Sequence, residues 1–143
     1  MFPGFSSSPF ISWIPSITFA TPGDLAISYT AQAGFALVQG RLVILTFRCI
    51  TSSFTFSTAS GQLNIKGVPI PAANILNQYF EGNIYFGGIT KSNYTQIALR
   101  ISPGNVTMEL VASGSGQNAT AITAADTPTG GLLNLVGSIF YFM

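Results

Sequence analysis

Apolar and polar residues alternate along most of this chain with a period of two, the spacing that places successive side chains on opposite faces of a β-strand. The stretch TASGQLNIKGVPIPAA (58–73) shows it plainly, with Leu63 and Ile65 on one side and Gln62, Asn64 and Lys66 on the other. Gly67, Pro69 and Pro71 then follow in quick succession. Proline has no N–H to give to a ladder, so the strand ends there and the chain turns a corner.

The same pattern predicts strands in LAISYT, GFALVQG, RLVILTFRCITSSFTF, YFEGNIYFGGI, YTQIALRIS, NVTMELVA and LLNLVGSIFYFM. Ile97, Leu99 and Ile101 alternate against Gln96, Ala98 and Arg100, and Pro103-Gly104 marks a turn that makes a hairpin with the strand after it. In the long central run, Leu42, Ile44 and Ile50 share one face while Val43, Leu45, Phe47 and Cys49 share the other. A strand apolar on both faces belongs where both sides are covered, by the protein's own core and by another subunit. Ser113–Asn118 and DTPTGG read as loops, and at most one helical turn is expected, around 72–78. Seven to nine short strands broken by Gly, Pro, Ser and Asn predict an all-β, single-domain, jelly-roll-like antiparallel β-sandwich.

Residues 1–23 differ from the rest. Pro3, Pro9, Pro15 and Pro22 are interleaved with Phe2, Phe5, Phe10 and Trp13. Proline at this density defeats helix, and aromatic groups at this density need a surface to lie on. The reading is an extended N-terminal arm over 1–23 followed by the β-sandwich domain over 24–143. The arm's aromatics Phe2, Phe5, Phe10 and Trp13, with Phe140, Tyr141 and Phe142 of the last strand, are the candidate partner-binding residues. A competing reading makes 11–19 the first strand.

Composition changes the picture in one respect. Of 143 residues, 48% are hydrophobic and 6% charged, with a net charge of +1, against roughly 25% charged in an average soluble protein. That leaves no electrostatic footprint for nucleic acid and no basic patch for an anionic membrane. So little charge favours association, and together with the doubly apolar run it predicts a homotrimer. No 18-residue apolar window exists for a membrane-crossing helix, and the N-terminus lacks the basic and apolar regions of a signal peptide. The chain is therefore read as made in the host cytoplasm.

Candidate chemistry is sparse. There is no histidine, the usual general base and commonest metal ligand. Asp24, Glu81, Glu109 and Asp126 are scattered, so a glycosidase-like facing pair depends on the fold. Cys49 is the single cysteine and sits in an apolar run, which makes it a small buried thiol. GSGQN and TPTGG open no helix that would cradle phosphate. Asn93, Asn105 and Asn118 stand in glycosylation-type triplets, read as chance without a secretory leader. Tyr79, Phe80, Tyr85, Phe86 and Tyr94 would suit a sugar-stacking surface or, more simply, core packing. No catalytic residue, metal or cofactor is expected.

Three pieces together resemble a β-sandwich virion domain of tailed bacteriophages, of the fibre-tip or capsid-decoration kind and cyanophage-like. They are Tyr29, Thr30, Gln32, Gly34, Phe35, Gly40 and Val43 in ISYTAQAGFALVQGRLVIL; Ser60, Gly61, Leu63, Ile65, Gly67 and Pro69; and Gly137, Ser138, Ile139 and Tyr141 in GSIFYF. The resemblance spans roughly 13–143. It implies a trimerising β-sandwich that serves as a virion component. Phe35 replaces the more usual tyrosine, and Val68 and Ile70 stand where Leu and Phe are commoner.

On that basis the chain is expected to be a capsid decoration or cement protein on the outer head surface, with itself and the major capsid protein as partners, because few residues precede the β-domain. A receptor-binding knob touching host glycans is the alternative. A small outer-membrane β-barrel is a third reading, suited by low charge but not by short strands without aromatic girdles.

Overall fold

The structure, a computed structural model, describes residues 10–143. Ten antiparallel strands form one hydrogen-bonded sheet: β1 (Phe10–Trp13), β2 (Ser16–Thr21), β3 (Ala26–Gln39), β4 (Leu42–Thr55), β5 (Ser60–Lys66), β6 (Phe80–Gly87), β7 (Gln96–Ile101), β8 (Thr107–Gly114), β9 (Gln117–Ala121) and β10 (Asn134–Phe142). The order across the sheet is β1-β3-β4-β10-β6-β7-β8-β5-β2, with β9 on β8. The all-β antiparallel expectation holds. The strands nevertheless make one continuous curled sheet, where two separate sheets were expected.

The curl follows from connectivity. β1 and β2 lie at opposite ends of the strand order, yet only Ile14 and Pro15 separate them in sequence. Two residues span a few ångströms, so the sheet must bend until its ends meet. Pro15, which cannot donate to either ladder, sits at this passage. Side chains of β3 close it: Gln32 Nε2 donates to the Pro15 carbonyl at 2.8 Å and Ile17 N–H donates to Tyr29 Oη at 2.9 Å. Gly67, at φ 97°, lies against the Ile14 carbonyl, where a Cβ would come within 2.4 Å of the oxygen. The corner after β5 thus needs glycine for both backbone conformation and space.

The interior is where the two halves of the curled sheet face each other. β4 and β10 contribute Val43, Leu45, Phe47, Leu135, Ile139 and Tyr141, which oppose Phe19, Leu63, Ile65, Leu99, Ile101, Met108 and Leu110 from the other half. Phe19, Phe54 and Phe56 form an edge-to-face cluster with centroids 5.2–6.0 Å apart, pinning β2 onto the end of β4. Burying each such ring is worth roughly 1.5–3 kcal/mol.

Several local expectations change. LAISYT and GFALVQG are one fourteen-residue strand, β3, with a bulge around Tyr29 that lets it stay paired to β4. Ser113–Asn118 is a tight hairpin: Gly114 pairs with Gln117, and Ser115 and Gly116 have φ of 57° and 71°, as a two-residue type I′ turn requires. No helix forms at 72–78; that segment is laced to β10 and the β7–β8 turn by Ala73 N–H to Phe142 O (2.6 Å) and Ala72 N–H to Asn105 O (3.1 Å). One 3-10 turn, Ala124–Asp126, is present.

The arm is redrawn. Residues 10–21 pair in the sheet as β1 and β2, because their apolar groups Trp13, Ile17 and Phe19 find partners in the core. Residues 1–9 of the proposed arm, with Phe2 and Phe5, lie outside the described residues.

Candidate functional site

Register fixes which side chains point outward. On the half-sheet β1-β3-β4-β10-β6, residues directly opposite one another make cross-strand rows. Phe10, Leu37, Ile44 and Phe140 form one row over four adjacent strands. Leu42 and Phe142 flank it on one side. On the other come Ser12, Phe35, Thr46, Ser138 and Asn83, then Ala33, Arg48, Val136 and Tyr85. All of these alternate with core residues, so all face away from the interior.

This face is apolar at one end and mixed at the other. Phe10, Phe140 and Phe142 are 75%, 63% and 48% exposed, and Phe35 and Tyr85 are 52% and 68% exposed. A large apolar patch left open on a sheet marks an interaction surface. Between Phe35 on β3 and Tyr85 on β6 runs an open groove of about 680 Å³, lined by Thr46, Arg48, Asn83, Val136 and Ser138. Two exposed rings above hydroxyl, amide and guanidinium groups can stack on the apolar face of a ring-shaped ligand while hydrogen-bonding its rim.

The outward face of the other half-sheet is polar. Arg100 pairs with Glu109 at 2.8 Å, Glu81 is the Cα partner of Arg100 on the other side, and Tyr79 lies under the guanidinium at 5.1 Å. Asn64 stands opposite Glu109, and Thr18 opposite Asn64. An outer-membrane barrel carries an apolar band on every strand; here only half the outer surface is apolar.

The sequence-derived candidates divide accordingly. Phe10, Phe140 and Phe142 come together on the exposed face. Trp13 and Tyr141 are corrections: both are buried in the core. Trp13 sits over Gly34 and beside Phe47, with centroids 6.3 Å apart. Tyr141 donates its hydroxyl to the Ile70 carbonyl at 2.6 Å, and burial pushes its phenol well above the usual range. Alternation predicts this outcome, since Trp13 and Tyr141 have the opposite parity to Phe10 and Phe140. Phe35, Ile44 and Leu37 were not singled out as binding residues, yet they complete the face; the signal lay in their parity with Leu42 once the strand pairing is known. Of the possible sugar-stacking set, Tyr85 is exposed, Phe80 is buried, and Tyr94 is engaged by Lys91 at 5.7 Å and bonds the Asn118 carbonyl. The set does not share one surface.

Three of the four carboxylates are taken up locally, and Glu81 is exposed on β6. Asp24 accepts from the Ser57 and Thr58 amides at 2.8 Å and from both hydroxyls. The Ser57 hydroxyl above all, with the two amides, holds its carboxyl well below the ordinary range. Asp126 closes a capping box with Thr123 and pairs with Lys91 at 2.8 Å. Glu109 holds Arg100 and accepts from Ser102 Oγ. Among the described residues no cluster of three Cys, Asp or Glu is placed to hold a metal ion.

No family model matches the chain, and no curated protein matches it. Among solved structures, the crystal structure of the Dettilon tailspike protein (gp208) has the same fold, with a TM-score of 0.66 at 14% identity. The match takes in 95% of this chain and 24% of the tailspike chain, so the chain spans about a quarter of that protein's length.

Proposed function

We propose that this chain is a structural domain of a tailed-phage virion, of the kind carried by tail spikes and fibres, and that it assembles as a homotrimer. The observation that carries the reading is the fold match over 95% of the chain to a quarter of a phage tailspike protein. The virion resemblance in the strand and corner motifs points the same way, and the open apolar face supplies a surface for assembly.

Within this reading the groove between Phe35 and Tyr85 engages host-surface glycan. Exposed rings with Thr46, Asn83, Ser138 and Arg48 between them match the amphipathic faces of sugars, and Arg48 favours acidic ones. No hydrolytic role is assigned, because Asp24, Asp126 and Glu109 are engaged in caps and pairs and Glu81 alone offers no facing pair of carboxylates. Placement on the capsid as a decoration protein is the second reading. The apolar face would then lie on the major capsid protein.

The test is a glycan array and host-cell adsorption assay with the purified chain, beside a Tyr85→Ala variant. Binding that falls at least tenfold in the variant, with an unchanged melting temperature, supports the glycan reading. Full binding by the variant refutes the groove. Density for the domain on heads and not on tails, in a cryo-EM map of particles, would replace the spike reading with decoration.

A further inference from the structure

We propose that the groove between Phe35 and Tyr85 recognises a carboxylate-bearing oligosaccharide segment, and that Arg48 selects it by forking its guanidinium onto the sugar's carboxylate. This rests on the glycan reading above and names the sugar class and the residue that sets it. Arg48 is exposed on β4, with Ala33 opposite it on one side and Val136 on the other, so only small or apolar side chains flank it along its row. Among the described residues it makes no ion pair, whereas Lys91 and Arg100 are each held by a carboxylate at 2.8 Å and set over a tyrosine ring. Arg41 is likewise occupied, its Nε donating to the Met143 carbonyl at 3.1 Å. No carboxylate is among the described residues that line the groove; Glu81 lines the neighbouring apolar hollow with Phe140 and Phe142.

Charge and geometry set the class. A neutral sugar stacked here would cover the guanidinium without a counter-charge, and covering an unpaired charge is costly. A carboxylate on the sugar answers it with two parallel N–H···O bonds, the fork that arginine offers and lysine does not. Phe35 pairs with Thr46 and Ala33 with Arg48, so Phe35 and Arg48 are diagonal neighbours, ~7–8 Å apart and within reach of an aromatic and a long side chain. A sugar ring stacked on Phe35 thus carries its carboxylate over Arg48. Tyr85 stands on β6, three strands away from Phe35 on β3. That is roughly 14 Å, more than one six-membered ring of ~1.5 Å bonds can bridge. Each aromatic therefore takes its own sugar unit, and the bound segment is at least a disaccharide laid across the strands, with Thr46, Ser138 and Asn83 beneath it.

Binding of trisaccharides to the purified chain tests this, with trimers of galacturonic acid, glucuronic acid and sialic acid, the methyl ester of each, and neutral trimers of galactose and glucose. The native chain is expected to bind at least one of the acids. Esterifying that compound is expected to weaken binding at least ~tenfold, as the loss of a charge-assisted pair does. Arg48→Gln should lose the same factor with an unchanged Tm, because Arg48 is exposed. The two changes remove one interaction, so the ester should bind native and Arg48→Gln chains equally. Arg48→Lys keeps the charge without the fork and should fall between them. Lys66→Gln removes an exposed cation at the end of β5, in the other half-sheet, and should bind the acid as the native chain does.

The outcomes separate the sugar class from the groove. Neutral trimers bound as tightly as the acids, with binding lost in Tyr85→Ala, overturn the acidic class and leave the glycan reading standing. An acid whose binding is unchanged in Arg48→Gln overturns the role of Arg48. Equal losses in Lys66→Gln and Arg48→Gln show attraction by net charge alone and overturn it as well. If none of the trimers binds while the chain still takes neutral glycans from the wider array, the class is wrong; if no glycan binds at all, this inference falls together with the glycan reading.

Discussion

Gly34 lies directly beneath the indole of Trp13, and the pair locks the first strand to the sheet at the point where its two ends meet. Trp13 and Gly34 are Cα partners across β1 and β3. A Cβ built on Gly34 would come within 2.4 Å of Trp13 Cε2 and 2.5 Å of Nε1, well inside contact distance, so Gly34→Ala must displace the ring. Trp13 is 6% exposed, and truncating a ring buried to that degree costs about 3–5 kcal/mol. That sets the ceiling for Gly34→Ala. Overpacking that the ring absorbs by tilting costs about 1–3 kcal/mol, and removing glycine's freedom from the unfolded chain returns about 0.4–1 kcal/mol. The expected net loss is about 1–1.5 kcal/mol, or roughly 3–7 °C in Tm for a domain of this size.

The chain has one tryptophan, so its fluorescence reports this ring alone. Urea unfolding followed by emission and circular dichroism gives the stability, and the native emission maximum should shift to the red in Gly34→Ala as the indole gains water. In a Trp13→Ala background the added methyl meets empty space, so the second substitution should cost nothing further and the two should couple by at least ~1 kcal/mol. A Gly34→Ala protein within ~0.5 kcal/mol of the native chain and with unshifted emission would show that the ring does not rest on Gly34. Equal costs in both backgrounds would show the same.

Other expectations follow from the polar groups. The Asp24 carboxyl is held below its ordinary value by Ser57 and Thr58, so its contribution is fully present above the unfolded value near pH 4 and is lost as pH falls further. An acid-unfolding series should therefore lose its steepest part near and below pH 4 in Asp24→Asn, and an unchanged acid limb would contradict this. Tyr141→Phe removes the hydroxyl that satisfies the Ile70 carbonyl and should cost about 1–1.5 kcal/mol in denaturant unfolding, with no change in assembly. Burial pushes the Cys49 thiol up to about 12, so Ellman's reagent at pH 8 should react only as fast as the chain opens; a prompt stoichiometric reaction in the native state would contradict the buried placement.

Alternation alone determined the strand content, because a period of two is a property of local sequence and needs no partner. It separated Leu42, Ile44 and Ile50 from Val43, Leu45, Phe47 and Cys49 correctly, and it placed the corner at Gly67 to Pro71, where proline chemistry leaves no alternative. It could not say which of those two faces is the core, since both are apolar. Only the pairing of β4 with β3 and β10, and the packing of Phe19, Leu63 and Leu99 on its inner side, turned Ile44 and Phe140 outward.

Local rules also misread the N-terminus. Proline density suggested an arm, whereas Pro15 marks the passage between the two ends of one curled sheet, a role defined only when β1 and β2 find partners far along the chain. Ser115-Gly116 likewise looked like a flexible loop until the pairing of Gly114 with Gln117 closed it. The exposed face joins residues from five strands spread over positions 10–142. Sequence fixes each residue's parity, but long-range register decides which parities meet, and that register is set by the core the whole chain builds together.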